Sequence, residues 1–165
     1  MKKFELTTES ITFLGRTLFR IKALISFGNV KAGELGGYIE KEGNLSHEGN
    51  AWVCGDARVC GDARVCGDAR VCGNAWVCGD AWVCGDARVC GNADIATISG
   101  FGSEYRTTTF FRTKNDEIAV KCGCFYGTLA EFREKVKETH GDNRYAKEYL
   151  MIADLMEMHF RGEEE

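Results

Sequence analysis

AWVCGD ARVCGD ARVCGD ARVCGN AWVCGD AWVCGD ARVCGN, residues 51–92, is one hexapeptide of the form A-[WR]-V-C-G-[DN] written seven times without an insertion. A period this strict is the mark of a solenoid, in which each unit contacts chiefly its neighbours. Ala and Val stand two apart, so on an extended strand they point to one side while the intervening Trp or Arg points to the other. Gly followed by Asp or Asn then makes the corner, because these residues tolerate the positive φ of a sharp turn. Each unit is read as one short strand and one turn, around a dry Ala/Val interior with no internal ligand cavity. Twenty glycines and no proline fit a chain whose turns share one chemistry.

The rest of the composition narrows the classes. At 165 residues the chain suits one compact domain or a repeat domain with flanking segments. A formal net charge of -4 gives no general basic field, so nucleic acid is not the expected partner. MKKFELTTES lacks the apolar run of an export signal, and no segment reaches bilayer-spanning length, so a cytoplasmic protein is expected. Seven of the nine cysteines belong to the repeat, and with no export signal they are expected to be reduced thiols.

An aliphatic residue followed four positions later by a small one resembles the left-handed parallel β-helix of hexapeptide-repeat proteins. That resemblance implies three units per triangular coil, so residues eighteen apart stack at ~4.8 Å. IEKEGN and LSHEGN (39–50) and ADIATI (93–98) read as degenerate units, giving ten in all. The outward residues then sort into three faces: Trp52, Arg70 and Arg88; Arg58, Trp76 and Asp94; Arg64 and Trp82. Each Arg/Trp face offers cation–π stacking of roughly 0.5–1 kcal/mol. Trp52, Arg58, Arg64, Arg70, Trp76, Trp82 and Arg88 are accordingly the candidate binding residues, against the plainer reading that the ladders only stabilise the coil. The corner cysteines (54, 60, 66, 72, 78, 84 and 90) stack within disulfide range, but their parallel side-chain directions suit the required torsion poorly. They read as a ladder of small hydrophobes. No histidine joins the column, so no metal and no cofactor are expected. His47 falls at a Val position of this phase and is too isolated for a catalytic base, so no catalytic residue is assigned.

The flanks read as separate units: 1–36 as an N-terminal β capping segment, 37–98 as the β-helix, and 99–165 as a ββαα unit. In the last, 106–113 and 117–122 form a hairpin, and Thr128 to Glu131 is a capping box opening a helix that Gly141 stops. Asp142 or Asn143 starts a second helix with the apolar stripe Tyr149, Ile152, Ala153, Met156 and Phe160. Cys122 and Cys124, with His140 and His159, are too loosely spaced for a zinc site. The terminal EEE reads as a frayed acidic tail.

GELGGYIEKEGNLSHEGNAWVCGDARV (33–59), EYRTTTFFRT and CGCFYGTLAEFREKVKETHGD resemble the YdcK-like hexapeptide-repeat proteins of phages and prophages. The resemblance implies a mainly β, single-stranded left-handed parallel β-helix, and a host-cell cytoplasmic setting if phage-encoded. The expected function is a non-catalytic binding or scaffold protein that sequesters a host or defence component, with a bacterial protein as partner and scope for self-association. Two alternatives stand beside it: a hexapeptide-repeat acyltransferase, and a small-molecule or nucleotide binder at a subunit interface. The acyltransferases of this fold carry a catalytic histidine and an extruded loop, and the strict tract has neither.

Overall fold

The computed structural model describes residues 2–161; the acidic Glu163–Glu165 lie outside the described residues. Strands β1 (Phe4–Phe13) and β2 (Arg16–Ala23) form an antiparallel hairpin. It turns at Leu14 and Gly15, whose φ values of 53° and 74° are the paired positive angles a tight hairpin requires. β2 runs antiparallel to β3 (Leu35–Ile39), and β3 pairs in parallel with the repeat.

The repeat supplies seven two-residue strands: β4 (Trp52–Val53), β5 (Arg58–Val59), β6 (Arg64–Val65), β7 (Arg70–Val71), β8 (Trp76–Val77), β9 (Trp82–Val83) and β10 (Arg88–Val89). They stack in parallel as β3-β5-β8, β4-β7-β10 and β6-β9, so successive coils within the strict tract are eighteen residues apart. The Ala and Val columns are buried throughout and form one continuous apolar core. At five of the corners the Cys carbonyl accepts from the Ala three residues on, as in Ala57 N–H to Cys54 O at 3.3 Å.

Both ends of the repeat depart from the expected phase. Ile39 pairs with Val59 and Leu45 bridges Val65, each twenty residues apart rather than eighteen. Ile39 and Leu45 therefore hold the Val position, and His47 with Glu48 is a two-residue insertion in the corner that follows. The cause is burial: Leu45 fits the apolar column at 2% exposure, whereas an imidazole there would be desolvated without a partner. ADIATI adds no further coil strand: Asn92–Asp94 is a short 3₁₀ turn and Ile95 opens an antiparallel sheet.

A solenoid leaves unpaired backbone groups at each end, and side chains satisfy many of them. At the first coil, Lys3 Nζ donates to Ala51 O at 2.7 Å, Arg20 Nη1 to Gly36 O at 2.8 Å, and Asn44 Nδ2 to Ala63 O at 2.8 Å. Burial pulls the Lys3 ammonium down to about 8. At the last coil the free N–H groups of Trp76, Trp82 and Cys90 donate to Asn92 Oδ1, Thr109 Oγ1 and Asp94 Oδ2.

Beyond the repeat, β11 (Ile95–Phe101), β12 (Arg106–Arg112), β13 (Ile118–Cys122) and β14 (Phe125–Thr128) form an antiparallel meander. The expected hairpin is its centre; β11 and β14 were not expected from the sequence. Alternation along β12 and β13 serves two cores: Phe111 and Ala119 join the coil interior, Phe110 and Val120 the helical layer. Helices α1 (Leu129–His140) and α2 (Arg144–Arg161) complete that layer. Thr128 and Glu131 make the reciprocal capping box, and Asn143 Oδ1 accepts from Ala146 N to start α2.

Gly73 and Gly79 share the left-handed corner conformation (φ 62° and 69°), but a Cβ at Gly73 would strike the Cys90 carbonyl oxygen while one at Gly79 meets nothing within 4 Å. Gly79→Ala should therefore cost about 1–2 kcal/mol, the conformational penalty alone, and Gly73→Ala clearly more. Urea midpoints at constant m-value check this ordering.

Candidate functional site

The three faces form in register, but they are not equivalent. Trp52, Arg70 and Arg88 make one ladder, Tyr38, Arg58 and Trp76 the second, and Arg64 with Trp82 the third. Asp94 is not in the second ladder. It sits in the 3₁₀ turn, accepting from Cys90 N and pairing with Arg112 at 3.0 Å, because the chain has left the coil.

Trp52, expected on an open face, is fully buried. Phe27 packs edge-on against it at 5.3 Å, and Gly36 comes so close that a Cβ there would lie 2.8 Å from the indole. Arg58 is half-buried over Phe13 (4.6 Å), and Trp76 meets the same ring edge-on at 4.9 Å while staying 47% exposed. Arg70 is half-buried between Trp52 and Arg88, and Arg88 donates to the Asp68 and Ala87 carbonyls. These contacts serve the scaffold.

The third face remains open. Arg64 is exposed, with its guanidinium 5.7 Å from the Trp82 ring, and Lys121 from β13 lies 4.3 Å from the same ring. Trp82 is 37% exposed and borders a groove of ≈460 Å³. Its walls include Leu45, Ser46, His47, Arg64 and Cys66, with Glu42 at the rim. His47 is fixed within its insertion: the ring stacks on Phe4 at 4.2 Å and Nδ1 accepts the Lys3 N–H at 3.1 Å. Sequence reading missed this groove. Its one signal is the spacing, since the inward residues Ile39 and Leu45 are six apart but Leu45 and Val53 are eight apart.

The cysteines form three corner columns: Cys54, Cys72 and Cys90; Cys60 and Cys78; Cys66 and Cys84. Cys60 and Cys78 are joined as a disulfide, against the expectation of reduced thiols throughout. Stacked coils bring their Cα atoms to 4.7 Å, within bridging range, so the backbone does not oppose the bond. Cys66 is different in kind. The Trp82 indole N–H donates to its Sγ at 3.1 Å, and its thiol is drawn down to about 6. The hydrogen bond from Cys84 is the main cause; partial burial opposes it, and Trp82, Lys121 and Arg64 assist. Cys84 is pushed up correspondingly, because it gives its hydrogen to Cys66 and is itself half-buried.

A second pocket of ≈250 Å³ lies in the C-terminal layer, lined by Arg106, Cys122, Cys124, Lys135, His140 and Tyr149 among others. Cys122 accepts from Thr108 Oγ1 at 3.2 Å; His159 does not line this pocket. Burial there pushes Tyr149 up to about 12.

Residues 63–79 and 69–85 match the YdcK Beta solenoid repeat, the part of the chain that carries β6 to β9. No curated protein matches the chain.

Three outcomes follow from this sorting of residues. Trp52→Ala should lower stability by about 3–5 kcal/mol, as for a fully buried aromatic, and Trp76→Ala by about 1 kcal/mol, both read from urea midpoints. Alkylation of Cys66 by iodoacetamide should rise through pH about 6 rather than near the ordinary 9.0. Trp82→Phe, which lacks the indole donor, should move that inflection upward in a peptide-mapped pH–rate profile.

Proposed function

We propose that the chain is a non-catalytic binding protein, a left-handed β-helix of phage or prophage type whose flanking units cap the coils and whose open third face recognises a protein of the bacterial cytoplasm. The observation that carries this reading is the exposed Trp82 with Arg64 and Lys121 at its ring, beside a groove on the stacked coils. An aromatic anchor flanked by cations is the composition of an interface hot spot. The two cations favour a segment that presents a carboxylate beside an apolar side chain. Sequestration of a host or defence component is the mode that suits a rigid surface of this size.

The geometry of His47 also supports a role without catalysis. A general base needs a free lone pair aimed at a substrate; Nδ1 of His47 accepts the Lys3 N–H, which leaves the proton of a neutral ring on Nε2, and the ring is stacked on Phe4. No helix among the described residues is long and apolar enough to cross a membrane.

Bacterial lysate passed over the immobilised chain should yield a stoichiometric partner whose retention falls about tenfold with Trp82→Ala or Arg64→Ala and is unchanged by Arg88→Ala, as for a central hot spot. Retention indifferent to Trp82 and Arg64 would overturn the reading. Calorimetric binding of acetyl-coenzyme A that is lost in His47→Ala would replace it with the acyltransferase.

A further inference from the structure

We propose that Cys66 and Cys84 form a reversible dithiol–disulfide site for small disulfides of the glutathione kind, with Cys66 as the attacking thiol and Cys84 as the resolving one. The stacking of the coils sets the pair up. Cys66 and Cys84 follow the paired Val65 and Val83, just as Cys60 and Cys78 follow Val59 and Val77. The backbone bonds match as well, Cys66 N to Val83 O at 2.9 Å and Cys60 N to Val77 O at 3.0 Å. The Cys60–Cys78 bridge shows that this stacking accepts a disulfide between coils without backbone movement.

The two pairs differ in access and polarity. Cys60 is 2% exposed in a cluster with Phe13, Leu18 and Tyr38, while its partner Cys78 is half-buried beside a cavity that Leu14 and Trp76 also line. Cys66 lines the open groove instead. It receives the Trp82 indole N–H at 3.1 Å and lies in the field of Lys121 and Arg64, the surroundings that favour a thiolate. Cys84 packs against the coil interior, where it is placed to follow Cys66 rather than to precede it. Cys72 and Cys90 provide the contrast. Their sulfurs are 3.0 Å apart, but burial holds the Cys72 thiol up and Cys72 pushes Cys90 up to about 11.

The chemistry balances in two displacements. The Cys66 thiolate attacks one sulfur of R–S–S–R; the new S–S bond joins Cys66 to one RS group, and the other leaves as RS⁻. Cys84 then gives up its proton and attacks Cys66 Sγ, releasing the second RS⁻ and leaving Cys66–Cys84 bridged. Two protein thiols are oxidised, one disulfide is reduced to two thiols, and the two protons end on the leaving thiolates. Excess reduced thiol reverses both steps.

The test equilibrates the native chain in glutathione buffers of graded reduced-to-oxidised ratio, then quenches, alkylates and peptide-maps it. The Cys66–Cys84 bridge should open and close across the series, read separately from Cys60–Cys78. In Cys84→Ser a mixed disulfide with glutathione should accumulate on Cys66, whereas in Cys66→Ser glutathione should add to Cys84 at least about tenfold more slowly. Cys66 and Cys84 remaining reduced throughout the native series would overturn the proposal. So would glutathione adding to Cys84 as fast as to Cys66.

Discussion

The hydrogen bonds that run from each coil to the next, Trp52 N to Ala69 O and Arg58 N to Ala75 O among them, fix the rise of the chain at one strand spacing per coil. Everything else is arranged within that constraint. With so little rise, a residue sits almost directly on its counterpart one coil away, so each column must hold a side chain that tolerates its own kind. Ala and Val do so in the interior, and glycine does so at the corners, where its left-handed φ is also needed. The same rise delivers three columns of stacked cysteines. What a repeat cannot supply is an end, and there the chain uses single polar side chains, Lys3 and Asn44 below and Asn92, Thr109 and Asp94 above, in place of the missing strands.

The sequence made the coil legible because periodicity is a local property. Eighteen-residue stacking placed Arg70 on Trp52, Trp76 on Arg58 and Trp82 on Arg64, and the structure has those pairs in register. It failed where a distant segment decides the outcome. Nothing near Trp52 distinguishes it from Trp76, yet one is buried and the other exposed, because Phe27 and Gly36 arrive from outside the repeat. The phase error at 39–50 has a similar origin. IEKEGN and LSHEGN keep the six-residue period and the Gly-Asn corner, and only the demand that an apolar side chain face inward moves the frame by two and expels His47 and Glu48. ADIATI keeps the repeat's alternation and leaves the coil because Ile95 to Phe101 pairs with β12 instead.

The candidate site was half legible for the same reason. Arg64 and Trp82 were in the sequence-derived set; Lys121, Leu45 and the Cys66 thiol were not. Lys121 lies on β13, well beyond the repeat, and comes to Trp82 only because the meander stacks on the last coil. Idealised parallel side chains disfavour a disulfide between Cys60 and Cys78, whereas their Cα separation of 4.7 Å leaves the side-chain rotation to settle the matter.

A sevenfold repeat of one hexapeptide would by itself present three equal faces and chemically uniform cysteine columns. Their inequality comes from the flanks. The N-terminal hairpin brings Phe13 against Arg58 and Trp76 and, with Leu18, buries Cys60; the segment after it brings Phe27 onto Trp52. These contacts bury Trp52 and half-bury Arg58, while Trp76 stays exposed at its outer edge. The third face is bounded by the His47–Glu48 insertion at one end and by β13 at the other, so it keeps a groove, gains a cation and holds a thiol beside an indole donor. Chemical individuality in this protein therefore arises where the repeat is interrupted, and the repeat supplies the rigid spacing against which each interruption is held.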